Sequence, residues 1–352
     1  MMKYSDKDYL VLLATCQITR GHNHNILIDY AGDKVYNISN EYICLLEMLK
    51  KMPIMLVQKE LDDEESINNL HTFIEYLITN EMAYVTSNPE RFPEISLELY
   101  NDCNRIIDGI AEISEDTDVQ TIKKYLQECA ELDCRELQLW LVSDVSVEKL
   151  LSILSLTQQY NYSYIEVHTD CTPAYSNLEK IKDIIEKYSN LKKIYLYSAS
   201  YNDRIDVVNK KGDLAPLSLG EIILITQDFE GGKCCGQINF SSLDFSGYWT
   251  ANLLRKKNGC LYKKVSIDQY GNLKNCPCLE TNYGNIINTK VLDVVSSYEF
   301  AQWGEIKKDD ISICKDCVFR YNCTDCRAFR CSLDVFSKPS KCTYNPYSNL
   351  WK

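Results

Sequence analysis

The first ninety residues carry hydrophobic positions in short, separate patterns. Tyr9-Leu10-Val11-Leu12-Leu13-Ala14 is an apolar run that predicts a buried strand. Residues 26–30 and 34–38 predict two more strands, joined by Ala31-Gly32-Asp33 as a hairpin-type turn. Ser39 or Asn40 then caps a helix that places Tyr42, Leu45, Leu46 and Leu49 on one face. Pro53 closes it, and residues 54–57 form a short element. Ile67, Leu70, Phe73, Ile74 and Leu77 recur at helical spacing and predict a helix over 64–78. Residues 82–85 return as a strand.

The periodicity changes beyond that point. Strands are predicted at 95–100, 136–141, 164–168, 191–197 and 221–226. Helices are predicted at 119–132, 147–158 and 175–188. Alternating β and α units imply an α/β fold whose parallel strands are joined by right-handed crossovers, as an open sheet or part of a barrel. From Glu230 the pattern weakens. Asp268-Gln269-Tyr270-Gly271 reads as the turn of a hairpin flanked by 260–267 and 273–276, with a helix near 291–300. The chain thus divides into segments of about 1–90, 91–230 and 231–352.

Charge and composition remove some function classes. The net charge of −12 argues against broad nucleic-acid binding, which needs a cationic face. No apolar stretch is long enough to span a bilayer, and the start MMKYSDKDYL lacks the features of a signal peptide, so a cytoplasmic address and no membrane partner are expected. There is no Walker loop and no dinucleotide glycine fingerprint.

The cysteines change the picture most. There are 17, an odd number, which in a reducing compartment favours metal ligation or isolated core thiols over disulfides. Cys16, Cys44, Cys103, Cys129, Cys134 and Cys171 are scattered and read as small buried hydrophobes. The other eleven follow residue 233. Cys314-x2-Cys317-x5-Cys323-x2-Cys326 packs four thiols into thirteen residues, and a Cys-x2-Cys turn lets both sulfurs face one metal ion or cluster. Upstream, Cys260-x10-Gly271-x4-Cys276 sets two thiols at the ends of the hairpin, and Cys342 stands near the chain's end. Four-thiolate zinc sites use the same pairs, so zinc is the alternative on spacing alone.

This pattern, over about residues 255–345, resembles the SPASM domain, the auxiliary cluster domain of radical-SAM peptide-modifying enzymes. The family reads Cys-x9–15-Gly-x4-Cys, then Cys-x2-Cys-x5-Cys-x3-Cys, then Cys. Cys323-x2-Cys326 departs from it by one residue. Tyr283-Gly284-Asn285-Ile286 is similar to the family's Gly-Asn-Ile segment. The resemblance implies two [4Fe–4S] clusters. Cys314, Cys317, Cys323 and Cys342 would hold one, and Cys260, Cys276 and Cys326 the other. The usual eighth ligand is missing, and Cys235 is its candidate replacement, with Cys234 or an open iron as the alternatives. Cys278 and Cys331 are spare thiols.

In that family a radical-SAM barrel precedes the SPASM domain and binds its catalytic cluster through Cys-x3-Cys-x2-Cys after the first strand. No such motif occurs in this chain. After 95–100, Cys103 stands at the first ligand position, and Ile107 and Ile110 at the next two. Leu141-Val142-Ser143-Asp144-Val145 stands in place of the Gly-Gly-Glu-Pro-like segment. The middle segment resembles a degenerate partial (β/α) barrel, and no S-adenosylmethionine cleavage is expected. Other candidate chemistry is weaker: His22 and His24 in a polar turn, a Cys171–His168 pair beyond a strand, and Asp62-Asp63-Glu64-Glu65, which reads as a helix start.

The element order in residues 1–90 is winged-helix-like and resembles the leader-peptide recognition domain of ribosomal peptide maturases. Such domains add the leader as a strand to an exposed edge, which by position would be 34–38 beside the helix 64–78. Together the three segments resemble the SPASM-domain maturase of grasp-with-spasm systems, an arrangement that implies a precursor peptide and an ATP-grasp ligase as partners. An iron–sulfur redox enzyme or electron carrier acting on a peptide, and a zinc-stabilised adaptor, are the other function classes.

Overall fold

The structure, a computed structural model, describes residues 4–92, 105–209, 217–233, 235–245 and 247–352. The expected strand at 95–100, Cys103 and Cys234 lie outside the described residues.

The N-terminal unit contains two small antiparallel sheets and three helices. β1 (Tyr9–Leu12) pairs with β5 (Ala83–Thr86). β2 (Cys16–Arg20), β3 (Asn25–Asp29) and β4 (Lys34–Ile38) form a sheet with β3 in the centre. The predicted hairpin is β3–β4, closing at Asp29 opposite Lys34. β2 has no strand signal in the sequence, because its alternation of Ile18 with polar neighbours is too short to register. Ser39 caps α1 (Asn40–Leu49), with Oγ accepting from the Tyr42 N–H. The buried face of α1 is Ile43, Leu46 and Leu49, rotated from the expected one. α2 (Ile54–Lys59) follows Pro53, and Asp63 caps α3 (Glu64–Thr79), which buries Leu70, Phe73, Ile74 and Leu77. These residues share one core with Leu10, Leu27 and Met82.

The centre of the molecule is a mixed α/β arrangement around an eight-stranded, mostly parallel sheet of order β10-β11-β9-β8-β7-β6-β12-β13. Its strands are β6 (Asp108–Ile113), β7 (Glu136–Leu141), β8 (Tyr164–Asp170), β9 (Leu191–Tyr197), β10 (Asp203–Asn209), β11 (Leu217–Leu224), β12 (Lys264–Ile267) and β13 (Leu273–Lys274). Between them run α4 (Val119–Glu131), α5 (Val147–Thr157) and α6 (Leu178–Lys187), each covering the same face. The row Ile267–Ala111–Leu139–Val167–Ile194–Ile222 crosses six strands on that face, and all six residues are buried. One residue along, on the opposite face, the row is Ser266–Ile110–Gln138–Glu166–Lys193–Glu221. The two faces alternate because side chains in a strand repeat with period two.

Two expectations are corrected here. Ile110 is not in a loop: it lies inside β6, buried against Trp140 and Phe229, and Ile107 enters that strand by donating its N–H to the Lys263 carbonyl. The loop that follows this parallel strand is residues 114–118, which contains no cysteine. The hairpin β12–β13 is also not separate from the middle segment. β12 pairs in parallel with β6, from Lys264 opposite Asp108 to Ile267 opposite Ala111.

The remaining C-terminal elements are α7 (Tyr248–Leu254), α8 (Val291–Val295), α9 (Tyr298–Glu305) and the short pair β14 (Tyr344–Asn345) and β15 (Leu350–Trp351). The single helix expected near 291–300 is two, because Ser296 ends α8 and Ser297 caps α9. β3 is buried along its whole length, since its faces lie between two cores. Leu27 joins the N-terminal core, while Ile26, Ile28 and Tyr30 pack with Val318, Phe319 and Tyr344 of the cysteine-rich region. No helix among the described residues is long and apolar enough to cross a membrane.

Candidate metal centre

The cysteine-rich region has little regular structure, so turns position its thiols. The β12–β13 hairpin turns at Gly271, whose φ of 88° lies in the left-handed region that favours glycine. Asn285 holds the turn from outside: its Nδ2 donates to the Tyr270 carbonyl at 2.9 Å, and the Ile286 N–H donates to the Gly271 carbonyl at 2.9 Å. The Gly284-Asn285-Ile286 segment thereby fixes where Cys260 and Cys276 emerge. Cys314 follows Ile313, a non-glycine residue with φ of 69°, and Asp325, between Cys323 and Cys326, has φ of 67°. Such backbone costs of order 1–3 kcal/mol and persists only where the surroundings fix it.

Eight of the described thiols fall into two groups of four by electrostatic proximity. Cys235 is exposed as a residue, and Cys260, Cys276 and Cys326 are the thiols whose charge raises it. Burial raises Cys260 to about 12, opposed by Lys264 and aided by Cys276 and Cys326. In the second group burial raises Cys314 to about 11, with Cys323 and Cys342 as thiol neighbours and Lys308 opposing. Burial likewise lifts Cys317 to about 12, beside Cys314 and Cys323. Cys342 is raised by burial and then, among the thiols, by Cys323. Cys260 and Cys276 share one apolar cluster and Cys317 and Cys342 another; Cys235 and Cys326 interact electrostatically with the first pair, and Cys314 and Cys323 with the second. Among the described residues, no three His, Cys, Asp or Glu side chains are close enough to hold a single metal ion.

The surroundings suit a thiolate-bound group. Gly236 has φ of 80°, and a Cβ there would lie 2.9 Å from the Cys326 Sγ, so this turn passes close over that sulfur. The Phe319 N–H donates to the Cys317 Sγ at 3.4 Å, the type of contact that holds and tunes a ligating sulfur. Two ion pairs stand beside the two groups: the partly buried Lys264 with Asp108 at 2.7 Å, and the buried Lys308 with Asp325 at 3.1 Å. Against the effect of burial, Cys323, Asp325 and Cys314 hold the Lys308 ammonium above the usual lysine range. Nothing in the sequence marked either lysine; a Lys four residues after Cys260 and another six before Cys314 is the only trace.

Other candidates lie elsewhere. Cys278 donates to the Gly232 carbonyl at 3.5 Å and also bonds with Cys276, while Cys331 is exposed. Cys16, Cys129 and Cys134 are buried, and Cys44 is exposed. His168 does not meet Cys171. It stacks on Tyr195 with centroids 4.5 Å apart and has Nδ1 3.2 Å from the Tyr197 hydroxyl, whereas Cys171 packs on the helix-covered side. The turn with His22 and His24 docks on the cysteine region, its His22 N–H donating to the Asp316 carbonyl and its Gly21 abutting Val318. Asp63 acts as a helix cap, accepting from Ser66 at 2.7 Å.

No family model and no curated protein matches the chain. Among solved structures it is similar to native anSMEcpe with bound AdoMet and a Cp18Cys peptide. That likeness spans 69% of this chain and 95% of the other, at 9% identity and a TM-score of 0.42.

Proposed function

We propose that the protein is a component of a ribosomally made peptide maturation system. In this reading residues 231–352 form a SPASM domain whose eight thiols hold two [4Fe–4S] clusters. Residues 91–230 are a radical-SAM-like scaffold that does not cleave S-adenosylmethionine. Residues 1–90 are a winged-helix-like reader of the precursor's leader, and an ATP-grasp ligase is the second partner.

The observation that carries the reading is the cysteine spacing of residues 260–342, with Cys260 and Cys276 packed in one apolar cluster and Cys317 and Cys342 in another. Clusters bound there would supply one-electron transfer. The chain's own residues would fix the ligands through the Gly271 and Gly236 turns and shield them beneath Leu261, Leu279, Phe319 and Tyr344. Two features support a scaffold role for the central sheet. The chain lacks the radical-SAM cysteine motif, and Trp140, Ile110 and Phe229 pack against each other on the face opposite the helices. Peptide addition is supported by β4 being an edge strand beside α3, where Tyr36 meets Tyr76 edge-on at 6.0 Å.

The test is co-expression with the precursor peptide and the ATP-grasp ligase, with and without this chain, read by peptide mass. A product mass that depends on the chain is expected. An identical product in both cases would remove the maturation role.

A further inference from the structure

One buried carboxylate lies between the two thiol groups. Asp325 sits between Cys323 of one group and Cys326 of the other, and only 3% of it is exposed. Its Oδ1 takes Lys308 Nζ at 3.1 Å and Arg327 Nη2 at 2.6 Å, and its Oδ2 accepts from Asn258 Nδ2 at 2.8 Å. Lys308 is 4% exposed and Arg327 is fully buried. Asn258 reaches the first group, its Oδ1 accepting from the Cys260 N–H at 3.0 Å. Lys308 reaches the second, with Nζ 4.0 Å from the Cys314 Sγ.

The charges of this network do not balance. Two buried cations share one carboxylate, which leaves a surplus positive charge in a place where an unpaired ion is strongly disfavoured. Arg327 has further acceptors away from the thiols, at the Ser337 and Val335 carbonyls. Lys308 has the Cys314 sulfur. The surplus therefore falls on the Cys314 side, where Lys338, bonded to the Cys342 carbonyl at 3.0 Å, adds to it. The first group faces a different arrangement: its Lys264 is only partly buried and is paired with Asp108 at 2.7 Å.

We propose that Lys308 is the fixed counter-charge of the Cys314–Cys317–Cys323–Cys342 group and makes it the more easily reduced of the two iron–sulfur sites. This rests on the cluster reading given above. A buried positive charge beside a cluster favours the reduced, more negative form, and burial keeps water from screening it. Electrons entering the protein would settle at this site first.

The experiment is a potentiometric titration of the anaerobically reconstituted chain with dithionite, followed by EPR and visible absorbance. The higher-potential wave is assigned by its alteration in Cys317→Ser. Lys308→Met leaves Asp325 and Arg327 as a neutral pair, and Lys308→Gln reads the same loss of charge should the methionine variant fail to fold. The expected result is that this wave weakens by tenfold or more in its reduction equilibrium, which is about 59 mV for one electron. The other wave moves much less, and Lys308→Arg restores the wild-type value. Loaded wild type and variants with identical potentials would overturn this inference alone. A wild-type chain that takes up no iron and sulfide would overturn the cluster reading and this inference with it.

Discussion

Asp325 shows how much a single residue can organise where regular structure is sparse. It adopts a left-handed backbone, takes two buried cations and stands between Cys323 and Cys326. Arg327→Met should destabilise the protein by about 1–3 kcal/mol in denaturant unfolding, because it leaves the Val335 and Ser337 carbonyls without their buried donor. Gly236→Ala should cost about 1–3 kcal/mol by the same measurement, since alanine is strained at this φ and its Cβ would press on the Cys326 sulfur. A third residue gives a pH dependence. Glu112 is raised from 4.5 to about 7, first by burial and then by the Asp268 carboxylate. Its folded form binds the proton more tightly than its unfolded form, so its contribution is full below pH 4.5 and is lost as pH rises through 7. Glu112→Gln should therefore flatten the stability profile between those values, and an unchanged profile in pH-resolved thermal unfolding would contradict the assignment. Neither Asp325 nor Glu112 carried a sequence signal. The cysteines were legible because their type and spacing announce them; Asp325, Lys308 and Glu112 matter only through burial and partners, which emerge on folding.

At the scale of elements, periodic patterns were read well and short ones poorly. β7, α4, α5 and β9 lie within about a residue of expectation, because each repeats one pattern over at least six positions. β2, β6, β10 and α7 were not expected. At β6 the family resemblance and the local pattern conflict: Ile107 and Ile110 fall at the spacing of loop ligands, yet Ile110 lies in a buried strand. The run Ile26-Leu27-Ile28 is instructive in the other direction, since three apolar residues in succession mark a strand buried on both faces. The β4 edge allows a specific test. The Tyr30 N–H bonds the Thr15 carbonyl and the Gly21 N–H bonds the His24 carbonyl, so Ile26 and Ile28 turn their backbone toward β2. The alternate residues of β3 serve β4, which leaves the N–H groups of Val35 and Asn37 facing outward. Asn37→Pro should therefore leave the β3–β4 ladder intact. It should weaken leader-peptide binding roughly tenfold, about 1.4 kcal/mol, in fluorescence anisotropy. Unchanged affinity would exclude this edge.

At the scale of the molecule, the three segments of the sequence are more tightly joined than their composition suggests. β12 inserts the cysteine hairpin into the central sheet beside β6. The N-terminal sheet packs Ile26 and Ile28 onto Val318 and Phe319, between Cys317 and Cys323. Arg320 donates to the Arg20 carbonyl, and Asn322 donates to the Tyr30 hydroxyl at 3.1 Å. Removing residues 1–92 should thus uncover Val318, Phe319 and Tyr344, costing roughly 3–6 kcal/mol of stability as well as any peptide binding. Thermal unfolding of the truncated chain checks this, and unaltered stability would show that the segments fold independently. Such joins depend on contacts distant in sequence, which no local pattern reports. The central claim concerns what the two thiol groups hold, and its most direct test is metal content. After anaerobic reconstitution the account predicts about eight iron and eight sulfide per chain, with sulfide-to-iron absorbance. Stoichiometric zinc, with neither sulfide nor that absorbance, would contradict it.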